Sequence, residues 1–221
     1  MSNQNVYAVF GASGYGREVM PLARVNLLSH NVDLQQLYFI DDNAVRDSSV
    51  NGHKVLSFEQ FLGLEAEERY VSIAIANSEI REKLSKRCLE HGVKSWTVIA
   101  DNVCVLDNVE LGEGAILNPF VTLTSDIKIG QHFHANIYSY VAHDCVIGDY
   151  VTFAPNVKCN GNIIIEDHAY IGTGAVLKQG TPDNPLVIGS GAVVGMGAVV
   201  TKSVPANTTV IGNPAKPLIK L

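Results

Sequence analysis

The chain has 221 residues, 47% of them apolar, and its 16 basic and 22 acidic side chains leave a formal net charge of −6 at pH 7. That length supports a sizeable core, while the acidic balance argues against a nucleic-acid binder. No stretch approaches the roughly eighteen apolar residues of a membrane span and the N-terminus has no basic-then-apolar leader, so a cytoplasmic protein without membrane insertion is expected.

Val6 to Phe10 reads as a buried strand that runs straight into Gly11-Ala12-Ser13-Gly14-Tyr15-Gly16-Arg17-Glu18, after which Val19, Leu22, Ala23 and Leu27 mark one face of a helix. A strand, a glycine turn and a helix start suit a phosphate, because free N–H groups and the helix dipole point at it. The spacing is G-x-x-G-x-G, not the dinucleotide G-x-G-x-x-G, so NAD is not expected; a plain strand-to-helix turn is the alternative. A second strand, Leu37 to Ile40, ends in Asp41-Asp42, either carboxylates for a ribose hydroxyl or base edge, or a solvated turn. A third, Tyr70 to Ala76, ends at Asn77, and Ser78 to Glu90 reads as a charged helix stopped by Gly92. All three points lie at strand C-terminal ends, where open parallel sheets bind ligands. Residues 1–95 are therefore expected to form a small Rossmann-like βαβαβ domain, with His30, His53 and His91 on its surface.

From residue 96 to 221 the grammar changes. Every sixth residue is apolar: Ile99, Val105, Leu111, Leu117, Leu123, Ile129, Ala135, Val141, Ile147, Phe153, Cys159, Ile165, Ile171 and Leu177, then Ile188, Val194 and Val200 after a five-residue insertion. In a chain of this composition such a run has a chance probability on the order of 10⁻⁵. Four residues further on the side chain is small or β-branched, with Phe133 the bulky exception, and Gly, Asn, Asp and Glu fill the corners between. Three hexads close one triangular coil, and coils stack by parallel pairing at about 4.8 Å, so residues eighteen apart lie above one another.

That register places the chemistry. His143 occupies a corner pointing out of the prism and Gly161 lies eighteen residues on, which gives a general base beside a single N–H oxyanion donor. Asn118 and Asn136 form a second stacked pair, either a corner ladder or a ligand contact, and His134 lies beneath Thr152. His132 and His168 also fall at corner phases, so three imidazoles are expected along the outside. Cys145 and Cys159 take inward phases and read as small core residues, whereas Cys88, in a helix, and Cys104, in an early coil, receive no role. No C-x-x-C spacing occurs.

The leading GASGYG segment, the strand ending in FIDD, AIANSEIREK, then VAHDCVIGDYVTFAPNVKCNGN and a closing IGNPAKPL together resemble the PglD-type, or NeuD-like, sugar-nucleotide N-acetyltransferases over essentially the whole chain. The resemblance implies a left-handed β-helix, against the usual right-handed crossover rule. It also implies a homotrimer with sites between subunits, acetyl-CoA as donor, no metal, and a UDP- or dTDP-linked amino sugar as acceptor for glycan assembly. Carried over by position, His143 is the base, Asp144 orients it, and Gly161 gives its N–H to the acetyl carbonyl. Acceptor contacts fall on Gly11, Ser13, Gly14, Tyr15, Gly16, Arg17, Asp41, Asp42, Asn77, Arg81 and Asn136. For acetyl-CoA the expected contacts, besides Gly161, are Thr152, Gly172, Thr173, Gly174 and Gly197, with Lys178 and Lys216 for its phosphates or simply as surface lysines. Tyr15 and Thr152 stand where the family often has histidine, Ala76 where it has glycine, and residues 183–187 form an outward loop near the CoA end. Two rival readings remain: a zinc-dependent β-helix enzyme of carbonic-anhydrase type using outward His132, His134 and His143, and a non-catalytic sugar-nucleotide-binding trimer.

Overall fold

The computed structural model describes residues 5–43, 45 and 48–218; the outer limits of the two expected domains, at residues 1 and 221, lie outside them. The chain divides into two compact units, Met1–Asp101 with Glu113–Ile116, and Asn102–Gly112 with Leu117–Leu221.

In the first unit β1 (Val6–Phe10), β2 (Leu37–Ile40), β3 (Ser49–Val50), β4 (His53–Leu56), β5 (Arg69–Ile73) and β6 (Lys94–Ser95) form one sheet in the order β3-β4-β2-β1-β5-β6. Only the β3–β4 hairpin is antiparallel. Both faces are covered, which is why β1 and β2 read as apolar runs rather than alternating. Val9 and Phe39 share a core with Val19, Ala23 and Leu27 of α1 (Gly14–Ser29). Ala8, Phe10 and Ile40 share another with Phe58 and Phe61 of α2 (Phe58–Leu62) and Cys88 of α3 (Ser78–Glu90). The helix expected at Ser78 to Glu90 is present over those residues, whereas the third strand stops at Ile73, short of Ala76. The hairpin and α2 go beyond the expected elements. Asn51 and Gly52, with φ of 49° and 83°, make the two-residue turn that such a dipeptide favours.

The second unit is a left-handed parallel β-helix. Thr122 pairs with Cys104 on one side and Tyr140 on the other, Lys128 with Val146, and His134 with Thr152, an interval of eighteen each time. Past Leu177 the interval becomes twenty-three, as in Tyr170 with Val193 and Val176 with Val199, which is eighteen plus the inserted five. A bridge between Thr181 and Asn184 closes that inserted loop on itself, so the coil register survives it.

Every hexad residue from Leu117 to Val200 is buried inside the prism. Val105 is not: it is 48% exposed, because its strand ends its sheet and has a neighbour on one side only. The corners are columns of left-handed residues, Asn108, Asp126, Asp144 and Asn162 in one, Phe120, Tyr138 and Asn156 in the next, and His132, Tyr150 and His168 in the third. Asn and Asp take this conformation readily; the rings do not, and stacking offsets the cost. Phe120 and Tyr138 lie 4.9 Å apart at 1°, and Tyr150 is sandwiched at 5.3 Å between His132 and His168.

Candidate active site

His143 sits one residue before the left-handed corner at Asp144, whose φ of 57° turns the chain and leaves both side chains projecting outward, 48% and 54% exposed. His143 Nδ1 lies 2.7 Å from Asp144 Oδ2. An ionised carboxylate only accepts, so in the neutral imidazole the proton belongs on Nδ1 and Nε2 keeps its lone pair. The imidazole lies flat on the next coil, where a Cβ on Gly161 would stand 2.5 Å from its Cε1, 2.6 Å from Nε2 and 2.9 Å from Nδ1. With the ring in that place only glycine fits at 161, and the reason is this close approach. The two coils are tied at the same point by Asn162 N–H donating to the His143 carbonyl at 3.0 Å.

Residue 160, just before that glycine, is held from several sides. Tyr140 Oη donates to Asn160 Oδ1 at 2.9 Å, and Asn160 Nδ2 donates to the Leu177 carbonyl at 2.6 Å. From inside the prism Cys145 Sγ donates to the Asn160 carbonyl at 3.2 Å. Among the described residues no backbone carbonyl accepts the Gly161 N–H. The Tyr140–Asn160 bond was not anticipated from sequence, although the register places the two on stacked coils.

Several residues expected at the site also make bonds within the fold. Asn118 and Asn136 donate their Nδ2 to the Ala135 and Phe153 carbonyls at 3.1 and 3.3 Å, which is the corner ladder. Thr152, expected against acetyl-CoA, is 3% exposed beside its partner His134. His132 and His134 are 2% and 0% exposed, so the outward trio expected with His143 does not form. His132 stacks on Tyr150 instead. Among the described residues no three His, Cys, Asp or Glu side chains are placed to share a metal ion.

Along the later coils Thr173, Lys178 and Lys216 are exposed. Gly174 and Gly197 stand at one left-handed corner with open space before them, whereas a Cβ on Gly172 would strike the backbone at Met196 and Val194, so that glycine serves coil stacking. A cleft beside the inserted loop is lined by Lys178, Asn184, Thr201, Lys202 and Ser203. Lys202 was overlooked; the twenty-three-residue interval puts it one place past the neighbour of Lys178. Lys216 lies elsewhere, in a terminal strand antiparallel to Thr209–Ile211.

In the first unit Gly11 has a φ of 110° and Gly16 packs against the Gly11 carbonyl, so these two glycines shape the turn. Ser13, the N-cap of α1, makes no side-chain cap bond, and Ser13, Gly14 and Arg17 are exposed at that helix start. Tyr15 packs against the core beneath. Asp41 accepts the Asn43 N–H at 3.0 Å as a turn, and Asn77 caps α3 by accepting the Ile80 N–H at 2.9 Å. Asp42 accepts the Phe58 N–H at 2.8 Å and pairs with Arg87 at 2.5 Å. Partial burial pushes its carboxyl up, but the Phe58 N–H and the Arg87 guanidinium outweigh that and hold it below the ordinary value. Arg81 departs furthest from expectation. It is fully buried, donating to the Ile75 and Ala76 carbonyls at 2.7 and 3.2 Å, and so braces the end of β5 from within.

Comparison with known proteins gives a family model for the PglD N-terminal domain over residues 7–88 and one for the bacterial transferase hexapeptide over residues 126–161. The chain is 52% identical over 187 residues to GDP-perosamine N-acetyltransferase of Escherichia coli O157:H7, covering 85% of this chain and 84% of that one. The solved structure of WeeI from Acinetobacter baumannii AYE superposes with a TM-score of 0.95 at 60% identity, over 97% of this chain and 100% of that one. A histidine-to-asparagine variant of perosamine N-acetyltransferase from Caulobacter crescentus, in complex with CoA and GDP-perosamine, gives 0.84 at 25% identity over 97% of each chain.

Proposed function

The chain belongs to the PglD-type family of sugar-nucleotide N-acetyltransferases, and on that footing we propose that it transfers the acetyl group of acetyl-CoA to the amine of a GDP-linked amino sugar, with His143 as general base. The observation that carries this reading is the imidazole lying on Gly161 with its Nδ1 proton held by Asp144. Guanosine replaces the uridine or thymidine of the sequence reading because the 52% identical relative is named for GDP-perosamine.

The sugar amine attacks the thioester carbonyl carbon, and His143 Nε2 accepts the proton the nitrogen sheds. Charge builds on the carbonyl oxygen, against the Gly161 N–H, until the C–S bond breaks and coenzyme A leaves as the thiolate that takes up a proton. General-base help contributes about 10²–10⁴ in rate and one oxyanion donor about 10²–10³. Holding the two substrates together supplies the remainder, and no acyl-enzyme is needed. The Caulobacter relative holds CoA and GDP-perosamine with a histidine replaced by asparagine, which supports a histidine dispensable for binding.

The exposed helix start at Ser13, Gly14 and Arg17 is the part of the first unit best suited to the diphosphate, with Asp41 for a ribose or base. Lys178 and Lys202, in one cleft, suit the phosphates of CoA. The working form is a homotrimer with sites between subunits, in the cytoplasm with the acetyl-CoA pool; among the described residues no helix is long and apolar enough to cross a membrane.

A thermal-shift screen of GDP-, UDP- and dTDP-linked amino sugars with and without acetyl-CoA tests the substrate, since a ligand that binds only the folded state raises its melting temperature. GDP sugars are expected to give the largest rise. His143→Ala should then lower kcat at least tenfold, on the order of general-base losses, while leaving the CoA dissociation constant within about twofold. Unchanged turnover removes the base assignment.

A further inference from the structure

Cys145 faces the interior of the prism and is fully buried, two residues past the candidate base. Its thiol lies 3.2 Å from the Asn160 carbonyl, nearer than the 3.6 Å to the His143 carbonyl, and the other buried cysteine, Cys159, has its sulfur 3.9 Å from that same Asn160 oxygen. The Asn160 carbonyl and the Gly161 N–H belong to one peptide group. A trans peptide is planar, so its C=O and N–H point in opposite directions. With the carbonyl drawn inward to a thiol, the N–H is turned outward, on the side where the His143 ring lies over Gly161.

We propose that Cys145 is a positioning residue for acetyl transfer: its thiol anchors the Asn160 carbonyl inside the β-helix and so aims and polarises the Gly161 N–H toward the oxygen of the reacting acetyl group. The inference rests on the acetyltransferase reading above and gives a buried cysteine a part in it. The bonds run in one direction, from the Cys145 S–H to the Asn160 oxygen and through the peptide to the Gly161 N–H. In such a chain each bond polarises the next, by about 10–30% per link. Asn160 is meanwhile fixed by Tyr140 and by the Leu177 carbonyl, so the thiol acts on a residue that is already held. No covalent step at sulfur is involved.

The test compares Cys145→Ala, which removes the donor, Cys145→Val, which removes it while keeping the volume filled, and Cys145→Ser, which restores a donor. Acetyl transfer by wild type and by each variant is measured alongside melting temperature. A donor that is misaimed rather than deleted should cost about tenfold in kcat in the alanine and valine variants, with the acetyl-CoA KM within about twofold of wild type. Cys145→Ser should recover the rate to within about threefold. Wild-type kcat in the alanine or valine variant overturns the proposal, and so does an equal loss in all three, which marks a packing effect. If the alanine variant fails to fold, the valine and serine pair decides. Should wild-type protein itself transfer no acetyl group to any nucleotide-linked amino sugar, the functional reading falls first, a result distinct from an active enzyme indifferent to residue 145.

Discussion

At Gly161 a single hydrogen atom in place of a methyl group decides whether the base can sit where it does. The residue has no left-handed φ to demand glycine; the demand comes from the imidazole, which leaves no room for a Cβ. Gly161→Ala should therefore displace the His143 ring and lower kcat/KM by about 10²-fold, comparable to loss of one oxyanion donor, in a protein that still folds. Removing the ring relieves the clash. The His143→Ala/Gly161→Ala double variant should accordingly melt no lower than His143→Ala alone, and be no slower, a non-additivity that a double-mutant cycle reads directly. Full activity in Gly161→Ala would mean that the ring has another resting place and that the stacked geometry is incidental.

At the scale of elements, the loop from β2 to α2 shows how a strand end is made rigid. Asp42 bonds the first N–H of α2 and pairs with Arg87 of α3, whose guanidinium lies 4.3 Å above the Phe58 ring. Because the folded carboxyl titrates below its ordinary 3.8, the pair stabilises the fold at pH values above that, and the contribution fades as pH falls through the folded-state value. Asp42→Asn keeps an acceptor for Phe58 but loses the charge. Since the pair is partly exposed and screened, its melting temperature at neutral pH should fall by only about 1–3 °C, and the difference from wild type should shrink as the pH falls through the folded-state value, below 3.8. A difference that persists in acid would point to packing instead. The sequence announced Asp41-Asp42 as an acidic pair at a strand end, yet it gave no sign of which one turns inward, because Arg87 is 45 residues away. The β-helix was more legible, since one interval fixes every neighbour: it put His143 against Gly161 and His134 beneath Thr152. What it left out is what covers an outward side chain, and for that reason His132, His134 and Thr152 read as accessible and are buried. Cys145 against Asn160 escaped for a related reason, as the two are fifteen apart and no register position couples them. The Asn51-Gly52 turn carries its signal in the dipeptide alone, although the hairpin was not among the expected elements.

Considered as a whole molecule, the chain leaves Phe120 and Tyr138 stacked against each other at a corner, 52% and 57% exposed, with Ile137 beside them and Val105 and Leu106 exposed on an earlier coil. Soluble monomers rarely show neighbouring large apolar groups of this kind to water, and burying one such side chain contributes about 1.5–3 kcal/mol. The rings occupy left-handed backbone that resists them, so something repays their presence, and the contact with each other covers only one side. The homotrimer proposed above would repay it at every copy at once. Sedimentation equilibrium should then give three chain masses at micromolar concentration, and acetyl transfer per chain should fall on dilution as the trimer dissociates. Phe120→Asp with Tyr138→Asp should shift the mass toward one chain and lower the activity together, while the circular dichroism of the β-helix persists, since neither side chain points into the core. A fully active species of one chain mass, in wild type or in the double variant, would detach the site from assembly and leave the exposed rings to some other partner.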